Sequence, residues 1–223
     1  AMQALIAGMP NTGKSSLFSS LTLKEAKISQ YPFSTAIPEL GTMEYEDVKI
    51  QIIDLPPFPN ADVSLINNAD LILLVIDNIA QIKESEQYLR KSNAKRTIIF
   101  NKSDLLDENK KRKISETFKT KKYDFILFSS ESKENINELK KRIFESFPVV
   151  RIYTKEPKKN PSSEPMILKK NSTIQDMAEK ILKGLSKKVK KARIWGPSSK
   201  FPAQSVGMWH VLKDKDIVEL QTE

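Results

Sequence analysis

The segment that most restricts the fold of this chain is Gly-Met-Pro-Asn-Thr-Gly-Lys-Ser at residues 8–15. It satisfies the pattern G-x-x-x-x-G-K-[ST] and lies between a short apolar stretch that predicts a strand and a stretch that predicts a helix. Small residues let backbone N–H groups wrap an anion, and the helix N-terminus adds its positive end. The segment predicts a phosphate-binding loop, with a glycine-rich turn that matches by chance as the alternative.

Short apolar stretches alternate with charged, helix-forming segments over the first two thirds of the chain. The predicted strands are residues 2–7, 41–45, 48–54, 71–76, 97–100 and 125–128. Residues 71–76 are apolar on both faces, as a central parallel strand requires. A helix near residues 136–147 stops before Pro148. This order predicts an α/β P-loop NTPase domain over residues 1–148, with a mostly parallel sheet and one antiparallel edge.

Residues 149–223 predict a second, smaller α+β domain. Its predicted strands are residues 149–154, 166–168, 192–195 and 217–220. Thr173 and Asp176 have the spacing of a capping box, which predicts a helix start. The residues of its apolar stripe are Ile174, Met177, Ala178, Ile181, Leu182 and Leu185.

Four residues have the types and positions needed to hold phosphate and metal. Lys14 is expected to reach the β and γ phosphates, and the Ser15 hydroxyl to ligate Mg²⁺. Thr35, in the loop at residues 31–41, can ligate the metal when a γ-phosphate is present, with Asp54 behind it. Lys14 and Thr35 are therefore the candidate catalytic residues. The alternatives are a plain loop hydroxyl for Thr35 and a plain strand-end aspartate for Asp54.

The tetrapeptide Asn-Lys-Ser-Asp at residues 101–104 follows a predicted strand and indicates which base is bound. The Asp104 carboxylate can accept hydrogen bonds from the N1 and N2 donors of guanine, a pair that adenine lacks. Residues 129–131, after the next strand, are expected to close over the guanine edge. The predicted nucleotide contacts are Asn11, Thr12, Gly13, Lys14, Ser15, Ser16, Asn101, Lys102, Asp104, Ser129, Ser130 and Glu131.

Charge is distributed unevenly along the chain. The net charge of +9 divides into +1 for residues 1–148 and +8 for residues 149–223. This asymmetry is typical of a nucleic-acid-binding appendage, although lysines that only maintain solubility are the alternative. Trp195 and Trp209 could stack on bases, but packing in the core is the favoured interpretation, and His210 is interpreted as a structural histidine. The candidate RNA-binding residues are Lys187, Lys188, Lys190, Lys191 and Arg193.

Several classes of protein are excluded or disfavoured. The chain has no cysteine, which excludes disulfides and cysteine metal sites. The longest aliphatic run, residues 71–76, is far shorter than the roughly 20 residues that span a bilayer. No signal peptide is recognisable. We therefore expect a cytoplasmic protein that does not contact membranes, and a monomer.

Taken with their spacing, these motifs resemble the Obg-related GTPases, specifically the DRG (developmentally regulated GTP-binding) branch. The similar segments are residues 8–17, 31–35 with Pro38 and Gly41, 54–56 and 69–73, and, in the tail, 151–155, 192–196 and 206–218. The tail is similar to the TGS domain, which implies a ubiquitin-like β-grasp fold linked with RNA and ribosome binding. The resemblance further implies a Ras-like domain, translation-linked GTP hydrolysis with Mg²⁺, and a role for Asn11 in holding K⁺.

The chain departs from the family pattern at one phosphate contact. The family's D-x-x-G element reads Asp-Leu-Pro-Pro at residues 54–57, and Pro57 has no N–H to donate to the γ-phosphate. Phe58 stands where many Ras-like enzymes carry a water-orienting glutamine; the family often has an aliphatic residue there, so the lack of glutamine is expected. We therefore expect a trimmed relative of the DRG proteins, without their inserted middle domain and N-terminal helical segment. We expect slow hydrolysis or dependence on a protein activator; an adaptor that no longer hydrolyses GTP, and an ATPase, remain the alternatives.

Overall fold

A computed structural model of the protein describes residues 2–28 and 37–222. Contacts divide the chain into two units, Ala1–Phe147 and Pro148–Glu223, and the predicted boundary lies beside this division. Among the described residues no helix is long and apolar enough to cross a membrane.

The first unit is built on a seven-stranded sheet with the order β2-β3-β4-β1-β5-β6-β7. The strands are β1 (Gln3–Ala7), β2 (Leu23–Ile28), β3 (Glu39–Tyr45), β4 (Val48–Asp54), β5 (Leu71–Ile76), β6 (Lys95–Phe100) and β7 (Phe125–Leu127). The five strands from β4 to β7 in this order pair in parallel, and the β2-β3-β4 edge is antiparallel. This confirms the predicted Ras-like α/β fold. The edge strand β2 was not predicted.

Helices pack against this sheet because its central strands are apolar on both faces. They are α1 (Lys14–Leu21), α2 (Val63–Asn67), α3 (Ala80–Leu89), α4 (Glu108–Thr120) and α5 (Ile136–Glu145). All six residues of β5 are buried, as its apolar run predicted. Phe118 of α4 is fully buried and packs against Phe100 and Phe125. Since the parallel strands all end at one edge of the sheet, the residues after β1, β4, β5, β6 and β7 come together there.

The second unit is a five-stranded sheet with the order β11-β10-β12-β8-β9, covered on one face by a single helix. Its elements are β8 (Val149–Thr154), β9 (Met166–Lys169), α6 (Ile174–Ile181), β10 (Val189–Trp195), β11 (Gln204–Val206) and β12 (Asp216–Thr222). Strands β8 and β12 are parallel, and the other pairs are antiparallel. Ile174 and Met177 of α6 are buried in a core with residues of the sheet. This is the predicted β-grasp fold.

The capping box at the start of α6 is confirmed, but the helix ends earlier than its apolar stripe predicted. The Thr173 side chain accepts from the Asp176 N–H, and the Asp176 carboxylate accepts from the Thr173 N–H. The helix ends at Ile181 because the Glu179 carboxylate accepts from the Gly184 N–H at 2.8 Å and draws the chain into a turn. The side chains of Ile181 and Leu182 are consequently exposed rather than in the core.

The two tryptophans are not core residues, and for Trp209 the prediction of core packing is wrong. Its side chain is 76% exposed, because Met208 and Leu212 supply the groups that pack inward from that loop. Trp195 is half-buried, with the Lys155 ammonium 5.0 Å from its ring centre. His210 is half-buried, and its Nε2 lies 2.9 Å from the Ser198 hydroxyl.

Candidate nucleotide-binding site

The loop at residues 8–15 joins β1 to α1, so its backbone wraps the N-terminus of a helix at the carboxyl edge of the sheet. Gly13 has a φ of +89°, and a Cβ there would lie 2.2 Å from Asn101 Nδ2. Only glycine therefore allows the loop to approach the residue that follows β6. The G-x-x-x-x-G-K-S pattern thus shapes the loop and also brings it against the predicted base-binding segment.

Lys14 lies inside this loop with only 7% of its surface exposed. Its Nζ donates to the Met9 carbonyl at 3.2 Å, and the Thr12 hydroxyl donates to the same oxygen at 3.1 Å. Burial lowers the pKa of Lys14, and the Asp54 carboxylate opposes this shift. A desolvated ammonium of this kind gains stability from a nearby anion, which is the role that a polyphosphate can fill.

Ser15 and Asp54 form the candidate metal-binding pair. The Ser15 hydroxyl donates to Asp54 Oδ2 at 2.9 Å. The Asp54 side chain is buried, and its Oδ1 has no hydrogen-bond partner within the described part of the chain. Burial raises the pKa of Asp54 to about 6 despite the Ser15 hydrogen bond and the nearby Lys14. A hydroxyl beside a carboxylate with a free oxygen fits the oxygen ligands that Mg²⁺ prefers. Thr35, the other predicted ligand, falls outside the described residues.

Asn101, directly after β6, connects the phosphate loop to the segment that follows β7. Its Nδ2 donates to the Thr12 carbonyl at 3.0 Å. Its Oδ1 accepts from the Ser130 N–H at 3.2 Å and from the Ser130 hydroxyl at 3.1 Å. The side chain is 2% exposed, so these hydrogen bonds are shielded from water. The Asn101 amide thereby joins three predicted segments: the phosphate loop, residues 101–104 and residues 129–131.

Asp104 is exposed at the same edge of the sheet, where a base can reach it. Its Oδ1 accepts from the Ser129 hydroxyl at 2.6 Å, and the Ser129 oxygen accepts from the Ser132 N–H at 3.1 Å. These contacts hold the carboxylate in position through residues 129–132. Glu131, predicted to contact the guanine edge, is exposed beside them.

The structure adds Asp77, which no sequence motif marked as a site residue. The Lys102 ammonium lies 2.5 Å from Asp77 Oδ2 and donates to the Asn11 carbonyl at 2.8 Å. Asp77 directly follows the fully buried parallel strand β5, and a carboxylate at such a position indicates a site residue. Lys102 is consequently held between the phosphate loop and the end of β5.

The segment after Asp54 leaves no backbone N–H group free for a phosphate. Residues 55–60 include three prolines, which have no N–H. The other three N–H groups donate to carbonyl oxygens: Leu55 to Ile6 at 3.0 Å, Phe58 to Gly8 at 3.1 Å and Asn60 to Pro57 at 2.9 Å. Phe58 is 2% exposed and its ring stacks on Tyr88 with 4.5 Å between ring centres.

A cleft of about 470 Å³ separates the phosphate loop from this segment. Residues on the loop side include Asn11, Lys14, Ser15 and Ser16, and residues 54–57 line the other side. Of the predicted phosphate and metal residues that the structure describes, all except the buried Thr12 line this cleft.

The predicted RNA-binding residues lie between α6 and the start of β10. Lys187, Lys188, Lys190 and Lys191 are exposed. Arg193 differs from them because it is half-buried, with Nη1 3.7 Å from Glu219 Oε1. Glu219 also pairs with Lys155 at 3.1 Å, so Arg193 belongs to an ion-pair network on the sheet.

Two family models match the chain. A model described as 50S ribosome-binding GTPase matches residues 3–102, and a TGS domain model matches residues 150–222. The two matches lie in the first and second structural units, respectively.

Two relatives match over almost the whole chain, and a third matches over part of it. A GTP-binding protein of Methanocaldococcus jannaschii is 26% identical over 301 residues, covering 97% of this chain and 77% of the relative. Developmentally-regulated GTP-binding protein 1 of Xenopus laevis is 24% identical, covering 96% of this chain and 80% of the relative. The GTPase Obg of Ehrlichia canis is 35% identical over 54% of this chain and 42% of its own.

Solved structures share the fold. The G domain of the FeoB iron transporter of T. maritima superimposes with a TM-score of 0.55 and 27% identity, covering 65% of this chain and 98% of that domain. A GTP-binding protein from Pyrococcus horikoshii has a TM-score of 0.62 over the full length of both chains, and at 14% identity it supports the fold alone.

Proposed function

We propose a function from the premise that this chain belongs to the Obg-related, DRG-like GTPases, with a TGS domain after its GTPase domain. It is a GTP-binding protein of that family. The finer proposal is a slow, Mg²⁺-dependent GTP hydrolase that acts as a ribosome-associated switch and docks on RNA through its basic TGS domain. The observation that carries the nucleotide part is the hydrogen bonding of Asn101 to both the phosphate loop and Ser130.

In this proposal the phosphate loop holds the polyphosphate. Backbone N–H groups of residues 11–16 surround the phosphates, and the Lys14 ammonium neutralises the β and γ groups. Ser15 and Thr35 would hold Mg²⁺, with Asp54 behind them, and the metal would offset the negative charge of the phosphates. Asp104 selects guanine, while Asn101 and Lys102 hold the phosphate-binding loop against the base-binding segment.

Hydrolysis is expected to be slow because the segment after Asp54 contributes little to it. No N–H group in residues 55–60 is available to the γ-phosphate, and Phe58 is buried where a water-orienting side chain would be needed. A protein or ribosomal activator that rearranges this segment would accelerate the reaction. Single-turnover GTP hydrolysis, measured with and without ribosomes, tests this, and the proposal requires a measurable intrinsic rate that ribosomes increase.

The lack of an available N–H group in residues 55–60 also favours a second candidate function. An adaptor that holds GDP or GTP for stability, without hydrolysing it, needs the phosphate loop and Asp104 but not the residues after Asp54. It binds the same RNA or ribonucleoprotein through the TGS domain. Absence of single-turnover hydrolysis under every condition, with nucleotide still bound, would establish the adaptor and exclude the enzyme.

Replacing Pro57 by glycine should raise the affinity for GTP relative to GDP by about 10-fold or more. The substitution supplies an N–H where the D-x-x-G element normally donates to the γ-phosphate, and such a charge-assisted contact is worth about 1.5–3 kcal/mol. Titration calorimetry with GDP and a non-hydrolysable GTP analogue measures the ratio. Pro56→Gly is the matched control, since it adds the same flexibility one residue too early. An unchanged ratio in Pro57→Gly would mean that the contact is not needed or is supplied elsewhere.

We also propose that K⁺ increases the hydrolysis rate. The hypothesis depends on Asn11, whose backbone carbonyl accepts from Lys102 at 2.8 Å and whose φ of +62° turns the loop at this point. Its carboxamide oxygen can then serve as a K⁺ ligand near the phosphates. Rates compared in KCl and NaCl at equal ionic strength should be higher in KCl. Equal rates in the two salts would remove the hypothesis.

The proposed partner of the TGS domain is ribosomal or other structured RNA, which the protein binds as a monomer. Support comes from the +8 net charge of residues 149–223 and from the exposed Lys187, Lys188, Lys190 and Lys191. Binding that depends on phosphate contacts should weaken steeply with salt. Co-sedimentation with ribosomes under GDP, a GTP analogue and rising KCl tests this; binding that is insensitive to salt would contradict it.

A further inference from the structure

Three loops of the TGS domain are joined by hydrogen bonds near the start of α6; we call residues 170–173, 196–203 and 207–215 the loop cluster. The Leu212 N–H donates to the Ser172 carbonyl at 2.9 Å, and Thr173 forms a bridge with Val211. The contact between His210 Nε2 and the Ser198 hydroxyl joins the second and third loops. The three loops of the loop cluster are therefore held together as one surface.

Trp209 is presented on this surface by a well-held backbone. Met208 packs against the core and Leu212 is buried in it, on either side of the tryptophan. The carbonyls of Met208 and His210 accept from the N–H groups of Gln175 and Ile174 at 2.9 and 3.1 Å. The backbone is thus fixed while 76% of the Trp209 surface faces solvent. Phe201, in the second loop, is 59% exposed.

The carboxylates of this region are already engaged within the domain. Asp176 accepts from Thr173, Asp214 pairs with Arg151 at 2.7 Å, and Asp216 accepts from the N–H groups of Ser198 and Lys213. Each of these acids therefore has internal partners that stabilise its negative charge.

Three lysines of the loop cluster, in contrast, are available to an anion. Lys170, Lys200 and Lys213 are exposed, and none of them forms an ion pair with a carboxylate of residues 2–23 or 37–222. A loop cluster that carries both an exposed aromatic ring and these unpaired lysines is complementary to a ligand that has both a flat π-face and a negative backbone. A purely apolar protein segment would instead bring the lysines out of water without a partner.

We propose that Trp209 is a stacking platform for an unpaired RNA base, with the adjacent phosphates contacted by Lys170, Lys200 and Lys213. This inference rests on the proposed RNA docking of the TGS domain and adds a preference for unpaired nucleotides. In a duplex the bases are stacked on each other and cannot lie on the tryptophan. The lysines at residues 187–191 lie at the other end of α6, so they supply contacts that do not depend on base pairing.

The test compares two RNAs of equal length, a hairpin with an unpaired loop and a blunt duplex, titrated against the full chain. Wild-type protein should prefer the hairpin, and Trp209→Ala should lose about 10-fold or more in affinity for it while duplex affinity stays unchanged. Trp209→Phe should keep most of the hairpin affinity, and Val211→Ala, an exposed neighbour, should have little effect. Lys187→Ala/Lys188→Ala should weaken both RNAs alike.

Three outcomes would overturn the inference in different ways. If wild-type protein binds RNA with steep salt dependence but Trp209→Ala binds the hairpin equally well, the stacking role is wrong and RNA docking stands. If wild-type protein binds neither RNA, the stacking role and the proposed RNA docking are both wrong. Binding of an acidic peptide that depends on Trp209, without any effect on RNA, would assign the surface to a protein and also overturn the inference. A thermal unfolding curve of Trp209→Ala that matches wild type shows that the domain remains folded.

Discussion

Asp104→Asn should reduce the affinity for GDP and GTP by about 100-fold or more and remove the discrimination against other purine nucleotides. In the proposed complex the Asp104 carboxylate accepts from two donors on guanine, and each hydrogen bond to a charged group contributes about 1.5–3 kcal/mol. Asparagine keeps one acceptor oxygen for Ser129, which holds Asp104 Oδ1 at 2.6 Å, but presents an N–H₂ group to the base. A base with a carbonyl at C2, as in xanthine, should consequently bind better than guanine.

Competition titrations with GDP, XDP and ADP measure this change of preference. Asp107→Asn is the matched control, because Asp107 caps α4 by accepting from the Lys110 N–H at 2.8 Å and asparagine is an equally good cap. The control should bind GDP like wild type. Unchanged nucleotide choice in Asp104→Asn would instead favour the ATPase alternative.

Lys14→Met should also lower the affinity for GDP and GTP by about 100-fold or more, and it should do so without destabilising the nucleotide-free protein. The ammonium is the only side-chain cation predicted to contact both the β and γ phosphates, so its loss removes charge-assisted contacts of several kcal/mol. Burial already lowers the pKa of Lys14, which means that the charged form is disfavoured before an anion binds. Methionine has a similar volume and needs no partner at this buried position.

Two measurements are required for this variant. Calorimetry with Mg-GDP reports the loss of binding, and thermal unfolding of the nucleotide-free protein reports stability. Lys113→Met, at an exposed position of α4, is the control and should change neither. Nucleotide affinity that survives in Lys14→Met would place the phosphates away from the loop at residues 8–15.

The parts of the fold that could be predicted are those in which a local pattern has one physical interpretation. Residues 71–76 are apolar on both faces and form the fully buried β5. The phosphate loop and the segment at residues 101–104 are defined by residue type and spacing, and both follow parallel strands that end at one edge of the sheet. The capping box of α6 is equally local, since both of its hydrogen bonds lie within four residues.

The parts that could not be predicted depend on contacts between distant residues. Strand β11 has three residues, too few to show alternation, and exists through its pairing with β10. Trp209 reads as a core residue by its type, yet Met208 and Leu212 make the inward contacts. Asp77 acquires a role only because β5 ends beside β6, where Lys102 can reach it. The burial of Phe58 away from the cleft could not be predicted either, because its ring stacks on Tyr88, thirty residues further along the chain.

Titration calorimetry of the purified chain with Mg-GDP, Mg-GTP and Mg-ATP tests the central claim most directly. We predict dissociation constants in the micromolar range or tighter for both guanine nucleotides and at least about 100-fold weaker binding of ATP. Failure to detect heat from either guanine nucleotide at such concentrations, or equal affinity for ATP, would contradict the account.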